Sequence, residues 1–197
     1  MSRRPPYDAA VIGGSAGGME ALEAILSPLP ADYPIPIIVV SHLHKSDAGG
    51  FAEHLASKVR IQVVEAVDKQ PIEPPAIYTA PADYHLLVER GDTLALSVDR
   101  KINWARPSID VLFESAATTY GERLIAVILS GANDDGALGM LTVKRNGGRC
   151  LAMAPESARS PFMPQAAIEI AKIDEVLPPE GILEILREAG GGVHGQS

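Results

Sequence analysis

The sequence predicts an α/β protein: a doubly wound, mostly parallel sheet with helices on both faces and an antiparallel strand excursion. Three observations carry this. Apolar runs of strand length recur along the chain, amphipathic stretches of helix length separate most of them, and the alternation breaks once, between Ile77 and Val98. Strands that alternate with helices are joined by crossovers, which makes neighbouring strands parallel and covers both faces of the sheet.

In chain order, residues 9–12 form the first predicted strand and 18–26 the first helix. Strand 36–40, helix 49–58 and strand 61–65 follow. Residues 76–79, 85–88 and 93–96 then read as three short strands with turn signals at Ala82-Asp83 and Arg90-Gly91-Asp92, the antiparallel excursion. Ser108, after Arg106-Pro107, is the predicted N-cap of a helix over 109–120. Strand 124–129 leads to a helix over 137–146, stopped by Asn146-Gly147-Gly148. Strand 149–152, helix 163–171, strand 174–176 and helix 179–188 complete the pattern. The organisation expected is a leader over 1–7, one globular domain over 8–188 and a disordered tail over 189–197, whose last residues read GGGVHGQS.

A chain of 197 residues with 46% hydrophobic residues buries about 70% of its unfolded surface and needs no disulfide to fold. The one cysteine, Cys150, stands in an apolar run and reads as a small core residue, consistent with a reducing compartment. A net charge of -8 argues against nucleic acid as a partner. No apolar run reaches the roughly 18 residues of a membrane span, and the short Arg3-Arg4-Pro5-Pro6 leader lacks the apolar core of a signal peptide. The expected location is the cytoplasm, without membrane insertion.

The stretch Val11-Ile12-Gly13-Gly14-Ser15-Ala16-Gly17-Gly18 joins the first strand to the first helix. A dinucleotide fingerprint fails because Ser15 stands where its second glycine belongs. A nucleotide P-loop fails because Gly18 is followed by Met19 and Glu20 rather than lysine and a hydroxyl residue. Gly13, Ser15 and Gly17 do satisfy G-x-S-x-G, in which small neighbours expose a serine on a tight strand-to-helix turn and nearby amides face developing negative charge. The competing reading is that Ser15 only caps its helix.

A nucleophilic serine needs a base at the same sheet edge, and strand 36–40 empties into Ser41-His42-Leu43-His44. If the strand continues, His42 and His44 point to opposite sides, so one of them reaches Ser15. A metal site from His42, His44, Asp47 and His54 lacks supporting spacing, and none is expected. The carboxylate that orients the base would come from Asp134 or Asp135, after strand 124–129, although aspartate there also caps the following helix. The order serine, histidine, aspartate is not that of an α/β-hydrolase.

Ile12-Gly13-Gly14-Ser15-Ala16-Gly17-Gly18, Ser41-His42, Ile77-Tyr78-Thr79-Ala80-Pro81-Ala82-Asp83-Tyr84-His85, Arg106-Pro107-Ser108-Ile109-Asp110-Val111-Leu112-Phe113 and the stretch from Leu129 to Met140 together resemble the catalytic domain of the chemotaxis protein-glutamate methylesterase family (CheB). The resemblance implies hydrolysis of glutamyl methyl esters on chemoreceptor cytoplasmic helices, with deamidation of receptor glutamines and no cofactor. It implies Ser15 as nucleophile, His42 as base and Asp135 as the orienting acid. The oxyanion and substrate cleft would be formed by Ala16, Ala132, His85 and Arg106, with Trp104 and the loop over 155–164 beside them. Family members usually carry an N-terminal receiver domain, so control by phosphorylation would here come from a separate receiver or signalling protein. The segment Leu43-His44-Lys45-Ser46-Asp47-Ala48-Gly49-Gly50 departs from the proline-containing turn of many members. The rival functions are a different esterase or amidase on the same fold, and a non-catalytic binding module.

Overall fold

The computed structural model describes residues 5–43 and 46–191. The elements are β1 (Ala9–Gly14), α1 (Gly18–Leu26), β2 (Ile37–Ser41), α2 (Gly50–Ala56), β3 (Gln62–Glu65), β4 (Ala76–Thr79), β5 (His85–Glu89), β6 (Thr93–Ser97), α3 (Ile109–Tyr120), β7 (Leu124–Ile128), α4 (Ala137–Arg145), β8 (Arg149–Met153), α5 (Phe162–Ile170), β9 (Glu175–Leu177) and α6 (Pro179–Ala189). Seven strands make one sheet in the order β3-β4-β2-β1-β7-β8-β9, and every neighbouring pair is parallel. β5 and β6 form a separate antiparallel pair.

The α/β class, the crossovers and the antiparallel excursion are as predicted, but the excursion holds two strands rather than three. β4 lies inside the parallel sheet between β3 and β2. All four of its residues, Ala76 to Thr79, are buried, a burial on both faces that a two-stranded hairpin does not supply. The expected tail falls partly in α6, and residues 192–197 lie outside the described residues.

Strand periodicity divides the core in two. Val11, Ile38, Ala126 and Ala152 face the side covered by α3, α4, α5 and the β5–β6 hairpin. Ile12, Val39, Val127 and Leu151 face the side covered by α1, α2 and α6. Adjacent residues of each strand thus serve opposite cores, as the pleat dictates. Cys150 is fully buried in the first of these, and burial pushes its thiol up to about 12, so it is an inert core residue.

The chain leaves β1 toward β2 and leaves β7 toward β8, in opposite directions from two adjacent strands. Their connecting helices lie on opposite faces, α1 on one and α4 on the other. Such a reversal opens a crevice at the carboxyl ends of the strands. At the other end of the same two strands Arg123 grips Asp8, with Nε and Nη2 at 2.7 and 2.6 Å from the two carboxylate oxygens.

Candidate active site

The crevice is stitched together by main-chain bonds that continue the sheet past its last strand residues. Ser15 N–H donates to Ser130 O at 2.8 Å, and Leu129 N–H donates to Gly13 O at 2.8 Å. His42 N–H reaches Gly14 O at 3.4 Å, extending the β1–β2 register that ends at Gly14 and Ser41. Ser15 and His42 are therefore next in line on neighbouring parallel strands.

The glycines around Ser15 serve close approach. Gly17 has φ 78°, and a Cβ there would stand 2.6 Å from Arg159 Cβ and 2.9 Å from Ser130 Oγ. A Cβ on Gly13 would stand 2.3 Å from Ile109 Cγ2, the first side chain of α3. Ser15 is half-buried and does not cap α1: its N-cap residue is Gly17, with no side-chain capping bond. Its hydroxyl carries no hydrogen bond among the described residues, which removes the capping reading.

Asp135, with 0% of its surface exposed, receives four donors. His42 Nε2 lies 2.7 Å from Oδ2, and Ile109 N–H donates to the same oxygen at 2.7 Å. Ser108 Oγ and Asp110 N–H donate to Oδ1 at 2.8 and 3.1 Å. Burial alone would raise its pKa, but the bonds from His42, Ile109, Ser108 and Asp110 outweigh burial and hold the carboxyl below its usual value. An ionised Asp135 fixes the proton of His42 on Nε2 and leaves Nδ1 as the unprotonated nitrogen, an acceptor. The orientation of the imidazole is thus set by the acid.

Of the two aspartates weighed from the sequence, the structure brings Asp135 to His42, whereas Asp134 is exposed. Asp135 does cap a helix, but α3 rather than the α4 that follows it. The N-terminus of α4 is capped by Asp110, whose Oδ1 accepts from Gly136 and Gly139 N–H at 2.9 and 2.7 Å. Burial, with the charges of Asp135 and Glu114, pushes the Asp110 carboxyl up to about 6 despite those two amides. Ser108 occupies the N-cap position of α3, but its hydroxyl turns to Asp135, which already holds the first amides of the helix. Asp110 and Ser108 stand in the motif Arg106-Pro107-Ser108-Ile109-Asp110. Their pairing with a loop 25 residues later or more has no local signal.

His85 is corrected from cleft residue to internal support. It is 2% exposed, its Nε2 donates to Arg100 O at 3.0 Å, and its Nδ1 accepts from Ser108 N–H at 3.2 Å. Both ring nitrogens are used inward, so nothing of it faces a substrate. Arg106 does border the crevice, in a groove of about 210 Å³ shared with His42, Trp104 and Asn133. Its guanidinium is committed to Asp83 at 2.9 Å and to the carbonyls of Val98 and Asp99 at 2.7 and 3.0 Å.

Ala16 and Ala132 are both exposed at the crevice, and neither amide has a partner among the described residues. Two such N–H groups, one directly after Ser15 at the entry to α1 and one two residues beyond Ser130, whose carbonyl accepts from Ser15 N–H, are of the kind a developing oxyanion requires. The loop over 155–164 is also at the site: Ser160 N–H donates to Ser130 Oγ at 2.9 Å and Gly131 N–H to Ser160 O at 3.0 Å. Of the residues weighed as metal ligands, His44 lies outside the described residues. His54 pairs with Glu23 at 2.8 Å, and Asp47 Oδ1 accepts from Gly49 N–H at 3.0 Å.

The family model described as CheB methylesterase matches residues 10–186. A Leptospira interrogans protein is 43% identical over 179 residues, covering 91% of this chain and 93% of its own length. A protein-glutamate methylesterase/protein-glutamine glutaminase of Anaeromyxobacter dehalogenans is 38% identical over 95% of this chain, which spans about half (54%) of that relative. The crystal structure of the Thermotoga maritima CheB methylesterase catalytic domain superposes with a TM-score of 0.88 at 36% identity, covering 92% of this chain and 98% of that one.

Proposed function

Because the chain belongs to the CheB methylesterase family, we propose that it hydrolyses glutamyl γ-methyl esters on the cytoplasmic helices of chemoreceptors with Ser15, His42 and Asp135 as its triad. The observation that carries the reading is the 2.7 Å bond between His42 Nε2 and a buried, ionised Asp135, one strand away from Ser15.

The Ser15 hydroxyl closes on His42 Nδ1, which takes its proton as Oγ attacks the ester carbonyl. The amides of Ala16 and Ala132 receive the negative charge that forms on the carbonyl oxygen. His42 returns the proton to methanol as the C–O bond breaks, leaving Ser15 acylated. Water, activated by His42, then releases glutamate. General base action supplies about 10²- to 10⁴-fold, and each oxyanion donor about 3 kcal/mol. A receptor glutamine follows the same course with ammonia as the leaving group. The catalytic unit is residues 8–188, acting in the cytoplasm without a metal or cofactor.

The test is methanol release from a methyl-esterified receptor. Ser15→Ala is expected to lower the rate by at least about 10³-fold with an unchanged circular dichroism spectrum. Full activity in that variant removes Ser15 as the nucleophile. Turnover of small esters but not of receptor favours a different esterase. Absence of labelling by a fluorophosphonate favours the binding module.

A further inference from the structure

Between β6 and α3 the chain rises into a short arm at the rim of the His42 groove. Ile102 and Ala105 bond each other twice, N–H to O at 3.1 and 2.8 Å, with Asn103 and Trp104 as the two turn residues. Both have positive φ, 47° and 64°, as a tight two-residue hairpin turn of this kind requires. Asparagine adopts that conformation readily, but for a bulky residue such as tryptophan it is an outlier. Trp104 is nevertheless there, 94% exposed, and it is the only tryptophan in the chain.

Folding gains nothing from an indole held in water on a strained turn, whereas a partner that covers it gains a large apolar surface. The arm's stem is firm. Arg106 holds the carbonyls of Val98 and Asp99, and His85 holds that of Arg100. The tip is therefore presented at a fixed place beside His42, in the groove that Trp104, Lys101 and Asn103 share with it.

The charge around the indole is opposite to that of the molecule. Arg100 and Lys101 are exposed, and neither has a carboxylate partner among the described residues, in a chain of net charge -8. Across the same sheet edge, Leu138 and Phe162 are exposed in the first turns of α4 and α5. An apolar projection beside two unpaired cations fits an amphipathic helix whose apolar stripe is bordered by carboxylates. A helix carrying glutamyl sites has such a border wherever sites stand as free glutamate.

Resting on the hydrolase reading above, we infer that the Trp104 arm is the specificity-determining dock for an acidic helical substrate, the indole seating its apolar stripe and Arg100 and Lys101 meeting its carboxylates. The arm acts on the approach of the ester and takes no part in bond making.

The probes are a helical peptide with one glutamyl γ-methyl ester flanked by glutamates, the same peptide with lysines at the flanks, and N-acetylglutamate γ-methyl ester amide. In the Ser15→Ala protein, Trp104 emission is expected to shift to the blue on titration with the acidic peptide. Affinity should weaken at least about tenfold with the lysine peptide or in an Arg100→Glu/Lys101→Glu background, and should fall with salt. In the active protein, kcat/KM for the acidic peptide divided by that for the small ester should drop about tenfold in Trp104→Ala, through KM. Peptide saturation without any change in emission, or an unchanged ratio in Trp104→Ala, overturns the dock. Failure of the parent protein to release methanol from either ester defeats the hydrolase reading instead, and the emission titration still decides the dock.

Discussion

Asp110 and Asp135 each accept the amides at the head of the other's helix, so two carboxylates of like charge are held close inside the protein. Their pKa values move apart: Asp135 goes below the usual range and Asp110 up to about 6. The signs for stability are opposite. Asp135 contributes stability that is fully present above its unfolded pKa near 4 and is lost as pH falls through its depressed folded value. Asp110 binds its proton more tightly in the folded state, so its ionisation weakens the fold as pH rises from about 4 to about 6. Asp110→Asn keeps an oxygen for Gly136 and Gly139 and removes that charge. It is expected to melt several degrees above the parent at pH 7.5, at about 2–4 °C per kcal/mol for a chain of this size, with the gain vanishing near pH 4. Thermal melts of the two proteins across this range check it. A difference that does not vary with pH assigns the effect to packing.

At the scale of elements, the approach of α3 to β1 links the serine turn to the acid. Gly13 leaves room for Ile109, whose amide is one of the donors to Asp135. Gly13→Ala is expected to destabilise the protein by about 1–3 kcal/mol and to lower activity by shifting that amide. A double-mutant cycle with Ile109→Ala, read by urea unfolding and by turnover, should give a coupling of about 1 kcal/mol or more. Strictly additive costs would place the strain elsewhere. The strands and helices themselves were legible because burial imposes a period that residues of one segment satisfy alone. β4 was misplaced because its four apolar residues say that it is buried, not which strand lies beside it. The same limit explains the caps. An aspartate ahead of a helix announces that some amide will be satisfied, and Asp135 takes those of α3 because tertiary packing sets the N-terminus of that helix against its carboxylate. His85 looked like a cleft residue since exposure is a property of the whole fold. That the Ser15 turn, His42 and the loop carrying Asp134 and Asp135 share one edge was legible because each follows a strand whose end the topology sends there, whereas which aspartate meets the imidazole is decided by packing.

For the whole molecule, the two edges of the sheet have different work. The carboxyl edge holds the serine, the imidazole, the unpaired amides and the exposed arm. The amino edge holds the Asp8–Arg123 pair, which also takes the Pro5 carbonyl. Arg123→Ala is expected to lower stability by about 1 kcal/mol or less, because the pair is partly exposed, while methanol release stays at the parental rate. Melting and turnover measured on one preparation check both halves, and a loss of rate would show that the edges are coupled. Ser15 and Asp135 differ in a way that matters to anyone using this protein as a tool. Asp135 also holds the head of α3, so a substitution there loosens the protein, whereas the Ser15 hydroxyl bonds nothing among the described residues. Inert bait for fishing native targets out of a cell extract should be made at position 15.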